Sequence, residues 1–246
     1  MNAESPVIRV ENVSVRYRVL EEKLSGIKEF TIRWLQRRLG YRHFWALREL
    51  DFAIKSGEIF GIIGRNGAGK STLLKVMARI LVPTQGRIIV VGKTAPLLEV
   101  GAGFHPELTG RENVYLNAAL LGYSRAQMQT RFDQIVTFAG VQDFIDAPLR
   151  TYSTGMVARL GFAVATSVRP DILLVDEVLS VGDVAFQEKC LDRMRTFQQQ
   201  GTTIVLVTHA LDWVRQLCRR AIWLEEGSIA AQGQADTVVQ RYLQVK

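Results

Sequence analysis

The stretch Ile59-Phe60-Gly61-Ile62-Ile63-Gly64-Arg65-Asn66-Gly67-Ala68-Gly69-Lys70-Ser71 decides the fold. Its first five residues are a short apolar run of strand length, entered through the turn Lys55-Ser56-Gly57. Residues 64–71 then follow the pattern Gly-x-x-x-x-Gly-Lys-Ser/Thr, and a helical segment starts from Lys70. Strand, glycine-rich loop and helix N-terminus in that order make an anion cradle. Gly64, Gly67 and Gly69 let the backbone curl without side-chain clashes, so that successive N–H groups across Asn66 and Ala68 face phosphates and the helix N-terminus adds positive potential. Lys70 is expected to reach the β- and γ-phosphates of a nucleotide, Ser71 to hold magnesium through its hydroxyl, and Thr72 to contact phosphate nearby.

Downstream, residues 172–175 are a second apolar run, and it ends in two carboxylates, Asp176 and Glu177. Beside a phosphate loop, Asp176 can orient magnesium through its water shell and Glu177 can polarise the water that attacks a γ-phosphate. Strand character returns at residues 203–207 and 221–224, with helical segments between the earlier runs, which argues for an α/β fold with a mainly parallel sheet. Ligand chemistry then gathers at the carboxyl ends of the strands. Residues 87–91 read as another strand, and residues 109–167 as an inserted helical lobe with a capping box of Ser124 and Gln127.

Upstream, residues 7–19 alternate, with Val13, Val15, Tyr17 and Val19 on one face and Ser14, Arg16 and Arg18 on the other, as a half-buried strand does. A second extended stretch covers residues 45–54. Between them the period changes. In residues 23–40, Leu24, Ile27, Thr31, Trp34, Leu35 and Leu39 share a helical stripe with Lys28, Arg33 and Arg37 off it, so this is an amphipathic basic helix.

With 246 residues, 48% of them hydrophobic, the chain can bury the core of one large domain, and we read residues 1–246 as such. The start MNAESPV lacks the apolar core of a secretory signal, and no segment has the roughly twenty apolar residues of a spanning helix, so a soluble protein is expected. Cys190 and Cys218 have neither CxxC spacing nor a nearby cluster of histidines, so neither a disulfide framework nor a zinc site is supported, and a reducing compartment fits best. The net charge of +7 suits an anionic partner, but no RNA-binding aromatic signature or zinc-finger spacing accompanies it, and nucleic acid is not the expected one.

Further motifs follow in a fixed order: Tyr152-Ser153-Thr154-Gly155-Met156, then Asp183 after Ser180-Val181-Gly182, then His209 closing residues 204–208. With the phosphate loop they make the chain resemble the ATP-binding cassette (ABC) superfamily over nearly its whole length. The resemblance implies a P-loop NTPase fold with an antiparallel β subdomain and an inserted helical subdomain, working with ATP and Mg2+. The first string looks like the family signature Leu-Ser-Gly-Gly-Gln, with Ser153 and Gly155 retained. A hydroxyl and N–H groups at a helix N-terminus suit a γ-phosphate, here that of the opposite subunit, although Ser153 could also be a plain N-cap. Asp183 is similar to the aspartate that communicates across the dimer, and His209 to the histidine that contacts the γ-phosphate. Where the family has its Q-loop glutamine this chain offers Glu99, whose carboxylate could contact magnesium. Tyr17 looks like the tyrosine that stacks on adenine, with Trp45 and Tyr41 as competing rings.

Residues 101–113 (GAGFHPELTGREN), YSTGM and residues 176–183 (DEVLSVGD) together resemble the branch that exports O-antigen, capsule and teichoic acid. The basic helix of residues 23–40 is similar to the gate helix of O-antigen exporters. By this resemblance the chain is an ATPase at the cytoplasmic face of the plasma membrane that pairs head-to-tail with a second copy and drives a transmembrane permease subunit carrying lipid-linked polysaccharide. Some such exporters append a carbohydrate-binding domain; the sequence to Lys246 reads as the cassette alone. The rival reading is a soluble cassette not coupled to transport, yet chromosomal members carry long coiled coils between the nucleotide motifs and ribosomal ones two cassettes.

Overall fold

Apolar runs too short for helices and free of polar breaks become the middle of one sheet. The computed structural model describes residues 5–20, 41–97, 101, 103–176 and 183–245. A six-stranded sheet is built from β3 (Ile59–Ile63), β5 (Thr94–Leu97), β6 (Ile172–Asp176), β7 (Thr203–Val207), β8 (Arg220–Glu225) and β9 (Ser228–Gln234), in the order β5-β6-β7-β3-β8-β9. Every pairing is parallel except β8 with β9. Alternate residues serve opposite faces. Phe60, Ile62, Ile172, Leu174, Val205 and Val207 pack toward helix α1 (Lys70–Met77) and the second sheet. Ile59, Ile63, Leu173, Val175, Ile204 and Leu206 pack toward helices α6 (Val184–Gln199), α7 (Leu211–Leu217) and α8 (Ala235–Val245). Both faces are covered, which is why these strands read as continuous apolar runs. Each buried aliphatic side chain contributes about 1.5–3 kcal/mol.

The second sheet is three-stranded and antiparallel: β2 (Tyr41–Lys55), β1 (Pro6–Leu20) and β4 (Gln85–Val90), in the order β2-β1-β4. The alternation expected along β1 fails at two places. Ser14 is buried, its Oγ accepting the Glu49 N–H at 2.9 Å, while Tyr17 and Val19 are exposed. Register shifts between Val10 and Val15 break the two-residue period. Pairing with β4 stops at Ser14, so from Arg16 onward β1 pairs only with β2. The amphipathic helix expected over residues 23–40 lies outside the described residues.

Helices α2 (Gly110–Leu120), α3 (Arg125–Gln129), α4 (Phe132–Ala139) and α5 (Thr154–Ala165) gather round a cluster of their own that includes Val114, Met128, Ile135 and Leu160. The Ser124–Gln127 capping box is present, and a second one, Thr109 with Glu112, starts α2. Phe138 of α4, Phe162 of α5 and Phe186 of α6 form a three-ring cluster with centroids 5.6–6.0 Å apart, which joins these helices to the sheet layer. Cys190 and Cys218 are free and buried, and burial pushes both thiols up to about 12, so neither is poised to react. Among the described residues no helix is long and apolar enough to cross a membrane.

Candidate nucleotide-binding site

The glycine-rich loop leaves β3 at Ile63 and enters α1 at Lys70, with Gly69 at the N-cap. A side chain at Gly64 would place its Cβ 2.3 Å from the Leu224 carbonyl oxygen of β8, so glycine is required there by contact. At Gly67 the requirement is conformational, since space is open but φ is 80°. The loop is clasped from behind: Gly227 N–H donates to Ala68 O at 3.2 Å, and Arg48 N–H donates to Gly227 O at 2.8 Å. Lys70 is buried, and its Nζ donates to Gly64 O at 2.9 Å and Arg65 O at 3.1 Å. The ammonium is thereby held inside the curl of the loop.

In front of the loop lies a cleft of about 550 Å³, lined by Tyr17, Phe44, Ala46, Asn66, Gly67, Gly69, Lys70, Ser71, Thr72 and Asp176. Its two ends differ chemically. One carries a lysine ammonium, the Ser71 and Thr72 hydroxyls, the first N–H groups of α1 and the Asp176 carboxylate; the other carries two aromatic rings. The first end fits phosphates and, through the Ser71 and Asp176 oxygens, a hard divalent cation. The second fits the flat face of a base, and the volume lies within the usual range for a ligand of nucleotide size. Asp176 arrives there because β6 is separated from β3 only by β7, so all three strands deliver their carboxyl ends to one edge.

Phe44 and Ala46 are the lining residues that sequence reasoning missed, and Phe44 is the one that brings a ring. Tyr17 and Phe44 are directly opposed across β1 and β2, so their side chains share a face, whereas Arg16 and Trp45 oppose each other on the reverse face. There the Arg16 guanidinium sits 5.3 Å from the Trp45 ring centroid, and that of Arg18 sits 3.4 Å from the Tyr41 ring. Neither competing ring lines the cleft. Only the pairing register, not composition, separates Phe44 from Trp45.

Other expected site residues lie elsewhere. Gly64 and Ala68 form the back of the loop, against Leu224 and the β8–β9 turn. His209 is exposed two residues past the end of β7, at the same sheet edge but outside the cleft lining. Ser153 is exposed at the N-cap of α5, its Oγ accepting the Met156 N–H at 3.2 Å, and a Cβ added at Gly155 would meet Ser153 Oγ at 3.9 Å. Neither residue lines the cleft. Glu177 and Glu99 lie outside the described residues.

With this geometry in hand, similarity to known proteins is informative. The family profile described as ABC transporter matches residues 47–180, more than half of the chain. The chain belongs to the ABC transporter family. It is 44% identical over 241 residues to the O-antigen export system ATP-binding protein RfbB of Klebsiella pneumoniae, covering 97% of this chain and 98% of that one. It is 41% identical over 235 residues to the teichoic acids export ATP-binding protein TagH of Listeria monocytogenes serotype 4b (strain F2365), covering 96% of this chain and 69% of that one. In fold it is similar to the dimeric, post-hydrolysis ATP-binding cassette MJ0796 bound to ADP and Pi, with a TM-score of 0.74 at 23% identity over 93% of this chain and 98% of that one.

In this ABC cassette, α5, the helix that Ser153 caps, is joined along its length to α6. Asp183 caps α6 by accepting the Phe186 N–H at 2.9 Å, and its other oxygen lies 3.7 Å from the Arg159 guanidinium of α5. Phe162 packs edge-on against Phe186, and Arg193 donates to Thr166 O at 3.1 Å, where the last carbonyls of α5 attract a cation. Burial, the main influence on Arg193, pulls its affinity for the proton down. These contacts run in the same direction along both helices. The N-terminal caps Ser153 and Asp183 therefore open at the same end of the pair.

Proposed function

We propose that this chain binds and hydrolyses ATP to power export of a lipid-linked polysaccharide, working as a head-to-tail pair of copies with a transmembrane permease subunit at the cytoplasmic face of the membrane. What carries the reading is the single cleft that sets Lys70, Ser71 and Asp176 at one end and Tyr17 with Phe44 at the other. The export half comes from relatives named for O-antigen and teichoic acid export.

In this reaction water attacks the γ-phosphorus of ATP, the bond to the β–γ bridging oxygen breaks, and ADP and phosphate leave. Lys70 and the loop N–H groups stabilise charge on the β- and γ-oxygens. Ser71 and Asp176 would hold Mg2+, which when bound would supply positive charge beside the phosphates. Glu177, the residue after Asp176, orients the attacking water and takes its proton. His209 helps hold the attack geometry from the end of β7. Tyr17 and Phe44 receive the adenine ring. Ser153 and the α5 N–H groups of one copy meet the γ-phosphate held by the other, so that ATP favours the closed pair and its hydrolysis releases it.

Cells lacking this chain should lose the exported surface glycan and accumulate its lipid-linked form inside, with rescue by the wild-type chain but not by Lys70→Ala. Unchanged surface glycan in those cells would count against the export assignment, while rescue by Lys70→Ala would count against ATP as its energy source.

A further inference from the structure

Two of the three strings that pointed to the exporter branch, residues 101–113 and the signature turn, are far apart in sequence yet their described residues are built into one piece. Thr109 forms an antiparallel bridge with Pro148. Leu149 N–H donates to Leu108 O at 2.8 Å, Arg150 N–H to Pro106 O at 2.9 Å and Arg111 N–H to Ile145 O at 2.8 Å. Asn113, fully buried, staples the loop to α2: its Oδ1 accepts from His105 N–H at 2.7 Å, and its Nδ2 faces the His105, Leu108 and Thr109 carbonyls at 2.9–3.1 Å. The tip, residues 105–107, remains exposed on this rigid base.

Tyr152 joins the base to the signature. Its ring is buried, and its hydroxyl donates to Phe144 O at 2.6 Å. A Cβ at Gly110 would fall 2.2 Å from that hydroxyl, so the ring occupies the space that only glycine leaves at the start of α2. Burial pushes the phenol's pKa up, which keeps it a hydrogen-bond donor. Tyr152 and Ser153 are both extended, with φ/ψ of −79°/147° and −68°/156°. Consecutive extended residues point to opposite sides, so seating Tyr152 inward turns Ser153 outward.

We propose that Tyr152 is a positioning residue for hydrolysis: wedged against Gly110, it locks Ser153 and the α5 N-terminus to the loop of residues 105–109, so that loop and signature turn move as one body. This rests on the reading of the chain as an ATPase that uses the signature of a second copy. The exposed tip then acts as a lever whose displacement reaches the signature serine through the Tyr152 ring and the backbone bonds of Leu149 and Arg150 to the loop.

The experiment compares Tyr152→Phe, Gly110→Ala and the double variant Gly110→Ala/Tyr152→Leu for kcat, KM for ATP, nucleotide binding and melting temperature. Tyr152→Phe should lower kcat about five- to tenfold, the scale of one buried hydrogen bond, with KM and nucleotide binding unchanged. Gly110→Ala should lower kcat further than Tyr152→Phe, and the double variant, with the obstructing hydroxyl gone but its hydrogen bond still missing, should recover to about the level of Tyr152→Phe. Wild-type kcat in both single variants, or a double variant no better than Gly110→Ala, would overturn the proposal. Hydrogen exchange reads the lock without turnover: in Tyr152→Phe the Leu149, Arg150 and Met156 amides should exchange faster together, and unchanged exchange at all three would refute it. A wild-type chain without ATPase activity but with this exchange response would instead sink the ATPase reading and leave the lock standing.

Discussion

The phosphate loop and the signature turn are both glycine-bearing N-termini of helices, yet they are built for different degrees of self-sufficiency. The phosphate loop is pressed between β8 and the β8–β9 turn, carries a buried lysine at the first helical residue and fronts a cleft. The signature turn is exposed, offers the Ser153 and Thr154 hydroxyls and backbone N–H groups but no cation, and uses the Ser153 hydroxyl to cap its own helix. A fixed cation with many inward N–H groups can hold phosphate unaided, whereas a bare helix N-terminus adds a smaller, short-range attraction. Under the proposed function, the contrast assigns affinity for nucleotide to the first region and response to a second copy to the other.

The largest expected effect breaks the comparison on the phosphate-loop side. Glu177→Gln should retain ATP while turnover falls by about 10²–10⁴-fold. Near-normal phosphate release in that variant would remove Glu177 as the base.

On the signature side, two substitutions of one residue separate capping from catalysis. Aspartate is as good an N-cap as serine, so Ser153→Asp should leave the melting temperature unchanged while its carboxylate repels the γ-phosphate and lowers turnover by about 10–100-fold. Ser153→Ala should cost about 1 kcal/mol in stability by loss of the cap. If Ser153→Asp turns over normally, the serine is only a cap.

Within the phosphate loop, the two glycines share a positive φ but only Gly64 also lacks room for a side chain, so they should differ in cost. Gly64→Ala drives a Cβ into a backbone carbonyl and should destabilise by about 2–4 kcal/mol, against about 1 kcal/mol for Gly67→Ala, which meets only an unfavourable φ. Equal losses in chemical denaturation would mean that the clasp against Leu224 yields. The smallest effects belong to the aromatic end. Tyr17→Ala and Phe44→Ala should each weaken ATP binding by about 1 kcal/mol, with Tyr17→Phe mild and Trp45→Ala silent. A loss of affinity in Trp45→Ala alone, measured by calorimetry, would mean that the reverse face of the arm holds the base.

The central sheet and the phosphate loop were legible because their signals are local: apolar runs of strand length, and a spacing of glycines, lysine and serine that only one backbone path satisfies. Two strands were not. β5 contains Pro96, which argues against a strand until one sees that it lies at the sheet edge, and β9 is made of small and polar residues with Gly233 among them. The aromatic end of the cleft needed the β1–β2 register, which shifts between Val10 and Arg16 and so cannot be counted off from either end. The buried Ser14 escaped for the same reason. The lock between Tyr152 and Gly110 was invisible because its two residues carry no local pattern; each is explained only by the other.

The account stands most directly on the claim that each site is completed by two copies, and a mixing experiment tests it. A Lys70→Ala chain has a disabled phosphate loop and an intact signature; a Gly155→Asp chain has the reverse. Each alone should be nearly inactive, and equal mixing should restore turnover to about a quarter of wild type, because about half the pairs are mixed and each mixed pair holds one whole site out of two. A mixture as inactive as its components, with pairing of the two chains verified by cross-linking, would contradict the claim.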